Sequence, residues 1–117
     1  MSSIYIHIPF CKQRCIYCDF HFVISKKKEK ELINSIIKEI RTRKDYLKEK
    51  KLSSIYFGGG TPSIISTHLI KKILKTISNV FIISNNTEIT IEINPDDVNK
   101  IKLDDYFKIG INRLSVG

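Results

Sequence analysis

Short apolar runs alternate with helical stripes along this chain. Strand-like runs cover residues 4–8, 54–57 and 88–93, and a fourth begins near residue 111. Between them, apolar side chains recur at helical spacing over about 27–48 and 67–78, and a short helix-like piece covers about 98–106. Ser25 and Ser66 precede the two long stripes, where helix N-caps are expected. Residues 81–86 fit neither pattern.

This alternation of strand and helix predicts an α/β architecture. Each crossover is long enough to bring the chain back for a parallel neighbour, so the strands should form a parallel sheet. The pattern leaves open whether that sheet is flat or curls toward a barrel. A complete eight-fold barrel takes about 250 residues, so a chain of 117 residues would form only part of one.

Composition indicates a soluble protein of one domain, with 42% hydrophobic residues. No apolar run approaches the roughly 18 residues of a membrane span. The opening MSSIYIHIPF lacks both a basic segment and a cleavage site of the secretory kind. We therefore expect a cytoplasmic protein with no membrane span, in a compartment that keeps thiols reduced.

The net charge of +8 is concentrated on the first predicted helix. Residues 26–51 hold eleven Lys or Arg against five Asp or Glu. A basic surface can bind nucleic acid. The same segment carries an apolar stripe, however, which favours a solvated outer helix face. We expect no nucleic-acid partner.

All three cysteines fall in one short segment after the first strand. Cys11, Cys15 and Cys18 follow the spacing C-x3-C-x2-C. An iron–sulfur cluster usually has four thiolate ligands, so a cluster held by three leaves one iron open for chemistry. The alternative is a Cys3His zinc site with His7 or His21 as the fourth ligand.

Two further segments have the character of a binding site. Glycines 58–60 follow the second strand and would let a backbone approach a ligand, although any tight turn can use glycines. Glu92 alternates with Ile91 and Ile93, which puts it on the polar face of its strand. It is either a solvent-facing carboxylate or a residue at the mouth of a barrel site.

The cysteine motif, with Tyr17 just before the last cysteine, resembles the signature of the radical S-adenosylmethionine (SAM) superfamily. The resemblance implies a [4Fe-4S] cluster held by Cys11, Cys15 and Cys18. It also implies that the amino and carboxylate groups of SAM chelate the open iron. Electron transfer from the cluster would then cleave the sulfonium to a deoxyadenosyl radical, which requires an electron donor.

Other segments extend the resemblance and assign the remaining cofactor contacts. GGGTPS resembles the family's second motif, and the Glu of EINP matches a family residue that binds SAM. A tyrosine six positions before the first cysteine has a family counterpart as well, although core packing would also explain it. The residues to which the resemblance gives a cofactor-binding role are Tyr5, Tyr17, Gly59, Gly60, Thr61 and Glu92. No catalytic residue is assigned.

Within the superfamily, YIHIPFCKQRCIYCDFHF, GGGTPS, EINP and INRLS are similar to the coproporphyrinogen III oxidase-like proteins. The biosynthetic enzyme typically has a further cysteine two positions after the third ligand and a longer segment before the motif. Here Asp19 and Phe20 follow Cys18. Both differences point to the heme chaperone branch, which implies bound heme or porphyrin and heme-acceptor proteins as partners.

The resemblance also implies the domain organisation. Residues 1–117 would be the N-terminal part of one radical SAM core domain, a partial (β/α) TIM-type barrel that breaks off within the barrel. Two alternatives stay open: an oxygen-independent coproporphyrinogen III dehydrogenase, which is an enzyme, and the Cys3His zinc module. His7 is expected to be structural, the Asp96-Asp97 pair to start a helix, and Arg113 has no assigned role.

Overall fold

The computed structural model describes residues 2–9 and 19–117, with only the backbone described over 19–26. Strands and helices alternate from end to end. The elements are β1 (Ser2–Ile8), α1 (Asp19–Thr42), β2 (Leu52–Gly59), α2 (Thr67–Val80), β3 (Glu88–Ile93), α3 (Lys100–Ile109) and β4 (Arg113–Val116). Short 3-10 turns, Pro62–Ile64 and Pro95–Asp97, follow β2 and β3.

The four strands form one sheet in the order β1-β2-β3-β4, and every neighbouring pair is parallel. The predicted α/β class with a parallel sheet is therefore confirmed. A sheet whose spatial order follows the chain order, with right-handed crossovers, carries all its helices on one face. That arrangement is the one found in (β/α) barrels, and this open sheet is consistent with part of a barrel. None of the described helices is both long and apolar enough to span a membrane.

The helix-covered face of the sheet is apolar and forms the core. Isoleucines at every second position of β1 and β3 point into it, as strand alternation requires. The strand residues in this core are Ile6, Ile8, Leu52, Ile55, Phe57, Ile89, Ile91 and Ile93. The stripe of α2 packs against them with Ile70, Ile73 and Ile77, each fully buried. The helices therefore fix which way each strand faces.

The opposite face of the sheet is polar. In the register of the parallel pairs, Tyr5 lies opposite Tyr56, and Tyr56 lies opposite Thr90. Two residues beyond Thr90 on β3, Glu92 lies opposite Ser115 of β4. The face that the helices leave uncovered is thus lined by hydroxyl and carboxylate groups, which can bind a polar ligand.

The bounds of the first helix differ from the prediction. α1 begins at Asp19, so Ser25 lies inside the helix and the predicted N-cap is wrong. Residues 19–24, DFHFVI, are aromatic or apolar at nearly every position, so they show no helical stripe by themselves. The helix also ends earlier, at Thr42, and residues 43–46 form turns, while Leu47 still packs against the core.

A buried glutamate connects α1 to α2. Ser66 is the N-cap residue of α2, as predicted, but its side chain makes no capping hydrogen bond. Instead the backbone N–H of Ser66 donates to Oε1 of Glu29, at 3.0 Å. Glu29 is only 9% exposed although it stands among lysines in the basic segment. One acidic residue of that segment therefore belongs to the interior.

The ambiguous segment 81–86 is not a strand. It makes a single parallel bridge, between Lys51 and Ile82, where the Leu52 N–H donates to the Ile82 carbonyl at 3.0 Å. Phe81 is buried in the core. The segment therefore serves as a connection that anchors the start of β2 before β3 begins.

Candidate functional site

Four of the predicted cofactor residues meet at the carboxyl-terminal edge of the sheet. Gly59 is the last residue of β2, Gly60 and Thr61 follow it directly, and Glu92 is the penultimate residue of β3. Because β2 and β3 are parallel neighbours, their carboxyl ends lie at the same edge. Open parallel sheets and barrels bind ligands at this edge.

The carboxylate of Glu92 is held at both oxygens. The backbone N–H of Gly59 donates to Oε1 at 3.0 Å, and the hydroxyl of Tyr56 donates to Oε2 at 2.8 Å. A carboxylate acceptor makes these charge-assisted hydrogen bonds. Glu92 is half-buried, so water is partly excluded from them. The alternative of a simple solvent-facing carboxylate does not describe this residue.

The glycine turn is in close contact with the end of β1. Gly59 has φ +114°, and a Cβ there would lie 2.6 Å from the Ile8 carbonyl oxygen. The N–H of Gly60 donates to that same oxygen at 2.8 Å. A side chain at position 59 would be strained by its backbone angle and blocked by the Ile8 carbonyl. The glycine turn therefore brings the backbone close to the carbonyl of Ile8, and its approach to a ligand stays a prediction.

Two tyrosine rings lie over Gly58. The rings of Tyr5 and Tyr56 stack with centroids 5.9 Å apart and 17° between their planes. A Cβ at position 58 would lie 2.8 Å from the Tyr56 ring and 2.9 Å from the Tyr5 ring. Tyr5 is 58% exposed, so it lies on the open polar face, and the core-packing alternative for it is wrong.

His7 belongs to the same polar face. Its Nδ1 lies 3.2 Å from the hydroxyl of Tyr5, and the side chain is exposed. It is therefore hydrogen-bonded, as expected of a structural histidine, but it lies beside the candidate site and not in the core.

A cavity of about 190 Å³ opens beside Glu92. Its lining consists of Gly60, Thr61, Pro62, Glu92, Ile93, Asn94, Ser115 and Gly117. Pockets for drug-sized ligands span roughly 300–1,000 Å³, so this space suits one end of a larger cofactor. A carboxylate, a hydroxyl and an amide around a small cavity fit the amino-acid end of SAM, whose ammonium group needs acceptors.

Three further residues of this site, Tyr56, Asn94 and Ser115, were not predicted from the sequence. Asn94 and Ser115 follow from strand alternation, which puts them on the polar face near the ends of β3 and β4. Tyr56 appeared only as part of an apolar strand. Its contact with Glu92 spans two strands, so it depends on register as well as on alternation.

The turns beyond the glycines are also held in place. The hydroxyl of Ser63 donates to Oδ2 of Asp97 at 2.9 Å, and the Lys102 ammonium donates to the Ser63 carbonyl. These contacts join the turn after β2 to the turn after β3. Asp96 and Asp97 lie in the first turn of the 3-10 helix Pro95–Asp97, which precedes α3, so the pair starts a helix as expected.

Arg113 lies away from the site. Its guanidinium donates to Oε1 of Glu88 at 2.8 Å, and both side chains are more than half exposed. Glu88 begins β3, so this ion pair marks the amino-terminal edge of the sheet. The side chain of its neighbour Asn112 accepts from the Ile89 N–H of β3 and donates to the carbonyl of Thr87, the residue before β3.

The proposed metal ligands are not among the described residues. Cys11, Cys15, Cys18 and Tyr17 all fall within residues 10–18. Within 2–9 and 27–117, no group of three His, Cys, Asp or Glu side chains could hold a metal ion. Cys11 stands three positions after Ile8 in the sequence, and Ile8 ends β1 at the same edge as Glu92.

Comparison with known proteins gives one consistent result. A family profile described as the Radical SAM superfamily matches residues 5–117. The chain is 43% identical over 98% of its length to the heme chaperone HemW of Buchnera aphidicola subsp. Schizaphis graminum. It is 34% identical over 99% of its length to the mitochondrial radical S-adenosyl methionine domain-containing protein 1 of Danio rerio.

A solved structure agrees with the sequence comparisons. The coproporphyrinogen III oxidase HemN of Escherichia coli, a radical SAM enzyme, superposes with a TM-score of 0.80 at 29% identity over 98% of the chain. The chain covers 27% of that structure, 31% of the Buchnera protein and 26% of the zebrafish protein. It spans less than a third of the length of each.

Proposed function

Since the chain belongs to the radical SAM superfamily, we propose that it is the N-terminal part of the core domain of a heme chaperone. The protein would bind a [4Fe-4S] cluster, SAM and heme, and it would transfer heme to acceptor proteins. Heme-acceptor proteins and an electron donor would be its partners.

The observation that carries this proposal is the agreement among relatives. Proteins named heme chaperone HemW from four organisms are 32–43% identical to the chain over at least 98% of its length. Phe20 supports the same assignment, because it stands two positions after Cys18, where the biosynthetic enzyme that the cysteine motif resembles has a further cysteine.

The cofactor residues are proposed from motif and geometry together. Cys11, Cys15 and Cys18 would hold the cluster, which with SAM supplies one-electron reductive chemistry when bound. Glu92 has an ionisable carboxylate that can accept hydrogen bonds from the SAM ammonium. The other cofactor contacts that we propose are Tyr5, Tyr17, Gly59, Gly60 and Thr61.

A second candidate function is favoured by the solved structure. HemN, with its TM-score of 0.80, is a coproporphyrinogen III oxidase. The chain would then be part of an enzyme that decarboxylates coproporphyrinogen III with the same cofactors. The two functions share the cluster and the SAM site, so cofactor binding cannot separate them.

The deciding experiment uses the purified protein with its cluster reconstituted under anaerobic conditions. It is incubated with SAM, a reductant and coproporphyrinogen III, and the products are separated by chromatography. In parallel, heme is titrated into the same protein and its passage to apo-acceptor proteins is followed by absorbance. A Cys15→Ser variant is the control for dependence on the cluster.

Each outcome favours one function. Heme binding and transfer without protoporphyrinogen, in a sample with its iron–sulfur cluster intact, supports the chaperone. Protoporphyrinogen formation overturns the chaperone in favour of the dehydrogenase. Zinc in place of iron in the purified protein would favour the Cys3His zinc module and overturn both.

A further inference from the structure

Tyr56 makes a contact that family resemblance does not assign. Its hydroxyl donates to Oε2 of Glu92 at 2.8 Å. We propose that Tyr56 is a positioning residue that fixes the Glu92 carboxylate in the orientation that receives the ammonium group of SAM. This inference rests on the proposed SAM site, and its test is arranged so that the two can fail separately.

The register of the sheet explains how the two side chains meet. Tyr56 lies directly opposite Thr90 in the β2–β3 pair, so Glu92 is two positions further along β3 on the same face. With strands about 4.8 Å apart and a rise of about 3.3 Å per residue, such diagonal neighbours lie roughly 8 Å apart at the backbone, which an aromatic side chain can span. The hydroxyl at the tip of the Tyr56 ring therefore reaches the Glu92 carboxylate across this diagonal.

The Tyr56 ring is itself held in one place. Tyr5 stacks on it at a centroid distance of 5.9 Å. The glycine at position 58 leaves the space that the ring occupies, since a Cβ there would lie 2.8 Å from Cε1 of Tyr56. Tyr5 on β1 and Gly58 on β2 thus fix the position of the Tyr56 ring. The position of the ring in turn fixes where its hydroxyl meets Glu92 on β3.

These contacts hold the Glu92 side chain in one rotamer before a ligand binds. A carboxylate has about four lone-pair sites, and the Gly59 N–H and the Tyr56 hydroxyl occupy one on each oxygen. The remaining lone pairs are available to a cation in the cavity that Glu92 lines. A side chain fixed before binding loses little conformational freedom when the ligand arrives, and this raises affinity.

The test compares Tyr56→Phe with wild type by anaerobic calorimetric titration of SAM into the cluster-loaded protein. Phenylalanine keeps the ring and the stacking on Tyr5 and removes only the hydroxyl. We expect the Kd for SAM to rise about ten- to a hundredfold, the amount that corresponds to one lost hydrogen bond to a charged group. The control is Tyr46→Phe, whose side chain is 77% exposed in the turn after α1, and it should bind as wild type does.

A double-mutant cycle separates positioning from general packing. If Tyr56 acts through Glu92, then Tyr56→Phe should cause no further loss in a Glu92→Ala background. The spectroscopic change that SAM causes in the reduced cluster, followed by electron paramagnetic resonance, should weaken in parallel with binding. A packing defect would instead lower the unfolding temperature of Tyr56→Phe and would persist in the Glu92→Ala background.

Two results would overturn the inference alone: a wild-type Kd in Tyr56→Phe, or an equal loss with and without Glu92. Failure of the wild-type, cluster-loaded protein to bind SAM at all would overturn the proposed cofactor site together with the inference. The titration of wild type is therefore performed first.

Discussion

Gly59 and Gly110 have similar positive φ angles, but their surroundings differ. Gly59 has φ +114° and Gly110, at the C-terminal end of α3, has φ +104°. Around Gly110 there is space, because a Cβ there would meet only Ile89 Cδ1 at 4.0 Å. At Gly59 the Ile8 carbonyl oxygen would be at 2.6 Å.

We therefore predict unequal costs for the two alanine substitutions. Gly110→Ala should lower the unfolding free energy by about 1–2 kcal/mol, the cost of a left-handed backbone with a Cβ. Gly59→Ala should cost about 2–4 kcal/mol, because steric overlap adds to the same backbone cost. Urea denaturation of both variants measures the difference. Equal costs would show that the end of β1 moves away freely.

Tyr106 is a buried tyrosine with an unusual environment. It is 1% exposed, and its hydroxyl has no hydrogen-bond partner among the described residues. Burial, and to a lesser extent the negative charge of Asp97, raise the pKa of Tyr106 well above its ordinary value. The folded protein therefore keeps this hydroxyl neutral at pH values where the unfolded chain, with a tyrosine pKa of roughly 10, loses the proton.

The raised pKa of Tyr106 should make the protein less stable at alkaline pH. Below about pH 10 the preference for the neutral form contributes fully to stability. Above it the unfolded state gains by ionising, and up to about 1.4 kcal/mol is lost per pH unit. Tyr106→Phe should remove this part of the alkaline loss and should be no less stable at neutral pH, since it deletes an unpartnered hydroxyl. Urea denaturation from pH 8 to 11, with Tyr46→Phe as the control, tests the prediction.

The first turn of α2 meets a hydrogen-bond acceptor that another helix supplies. The Ser66 N–H donates to Glu29, which is nearly buried on α1. A carboxylate at a helix N-terminus also interacts favourably with the helix dipole. Because five apolar residues of α2 are buried in the core, this contact couples the basic first helix to the folding of the sheet.

Glu29→Ala should therefore destabilise the protein by about 1–2 kcal/mol, the usual cost of losing a capping acceptor. Glu31→Ala, two residues along the same helix at an exposed position, should change stability by less than about 0.5 kcal/mol. Glu29→Gln retains an acceptor and should recover part of the loss. Thermal unfolding of the three variants measures this, and equal effects at positions 29 and 31 would contradict the cap.

Elements with a clear period were predictable from sequence, and contacts between elements were not. β3 has the predicted bounds because Glu88–Ile93 alternates strictly, and α2 begins where its stripe begins. The start of α1 was missed because a run of aromatic and apolar residues shows no stripe. Glu29 stands among lysines, and only the packing of α1 against α2 distinguishes it from its solvated neighbours.

In the candidate site, too, individual residues were predictable from sequence, whereas contacts between strands were not. Motif resemblance selected Glu92, Gly59, Gly60 and Thr61, and the structure brings these four together at one edge. Alternation alone could give the face of Tyr56 but not its partner, because a diagonal contact depends on which residues of β2 and β3 are paired. Register is a property of the assembled sheet, so no local segment encodes it.

For the whole molecule, the sheet has one face covered by helices and one open polar face that carries the proposed cofactor site. A ligand that binds only the folded protein stabilises it by mass action. SAM at 100 times its Kd should add about 2.7 kcal/mol to the unfolding free energy of the cluster-loaded protein. Glu92→Gln should lose most of this gain.

Glu88→Gln is the matched control for this prediction. It replaces a carboxylate on the same strand, but at the opposite edge of the sheet, where Glu88 pairs with Arg113. The gain from SAM should be unchanged in this variant. Chemical denaturation with and without SAM provides the measurement, and an equal loss of the gain in both variants would contradict a role for Glu92 in binding.

The two faces of the sheet are coupled through strand alternation. If β2 slipped by one residue against its neighbours, Tyr56 would turn toward the helices, and Ile55 and Phe57 would turn to the open face. The apolar residues that pack against the helices thus fix the strand register, and with it the positions of the polar residues on the open face. An engineered insertion of a single residue in the middle of β2 would consequently damage core and cofactor site in one step. A two-residue insertion would preserve the inside-outside pattern but change the pairing of part of β2 with its neighbours, so its damage should fall mainly on the cofactor site.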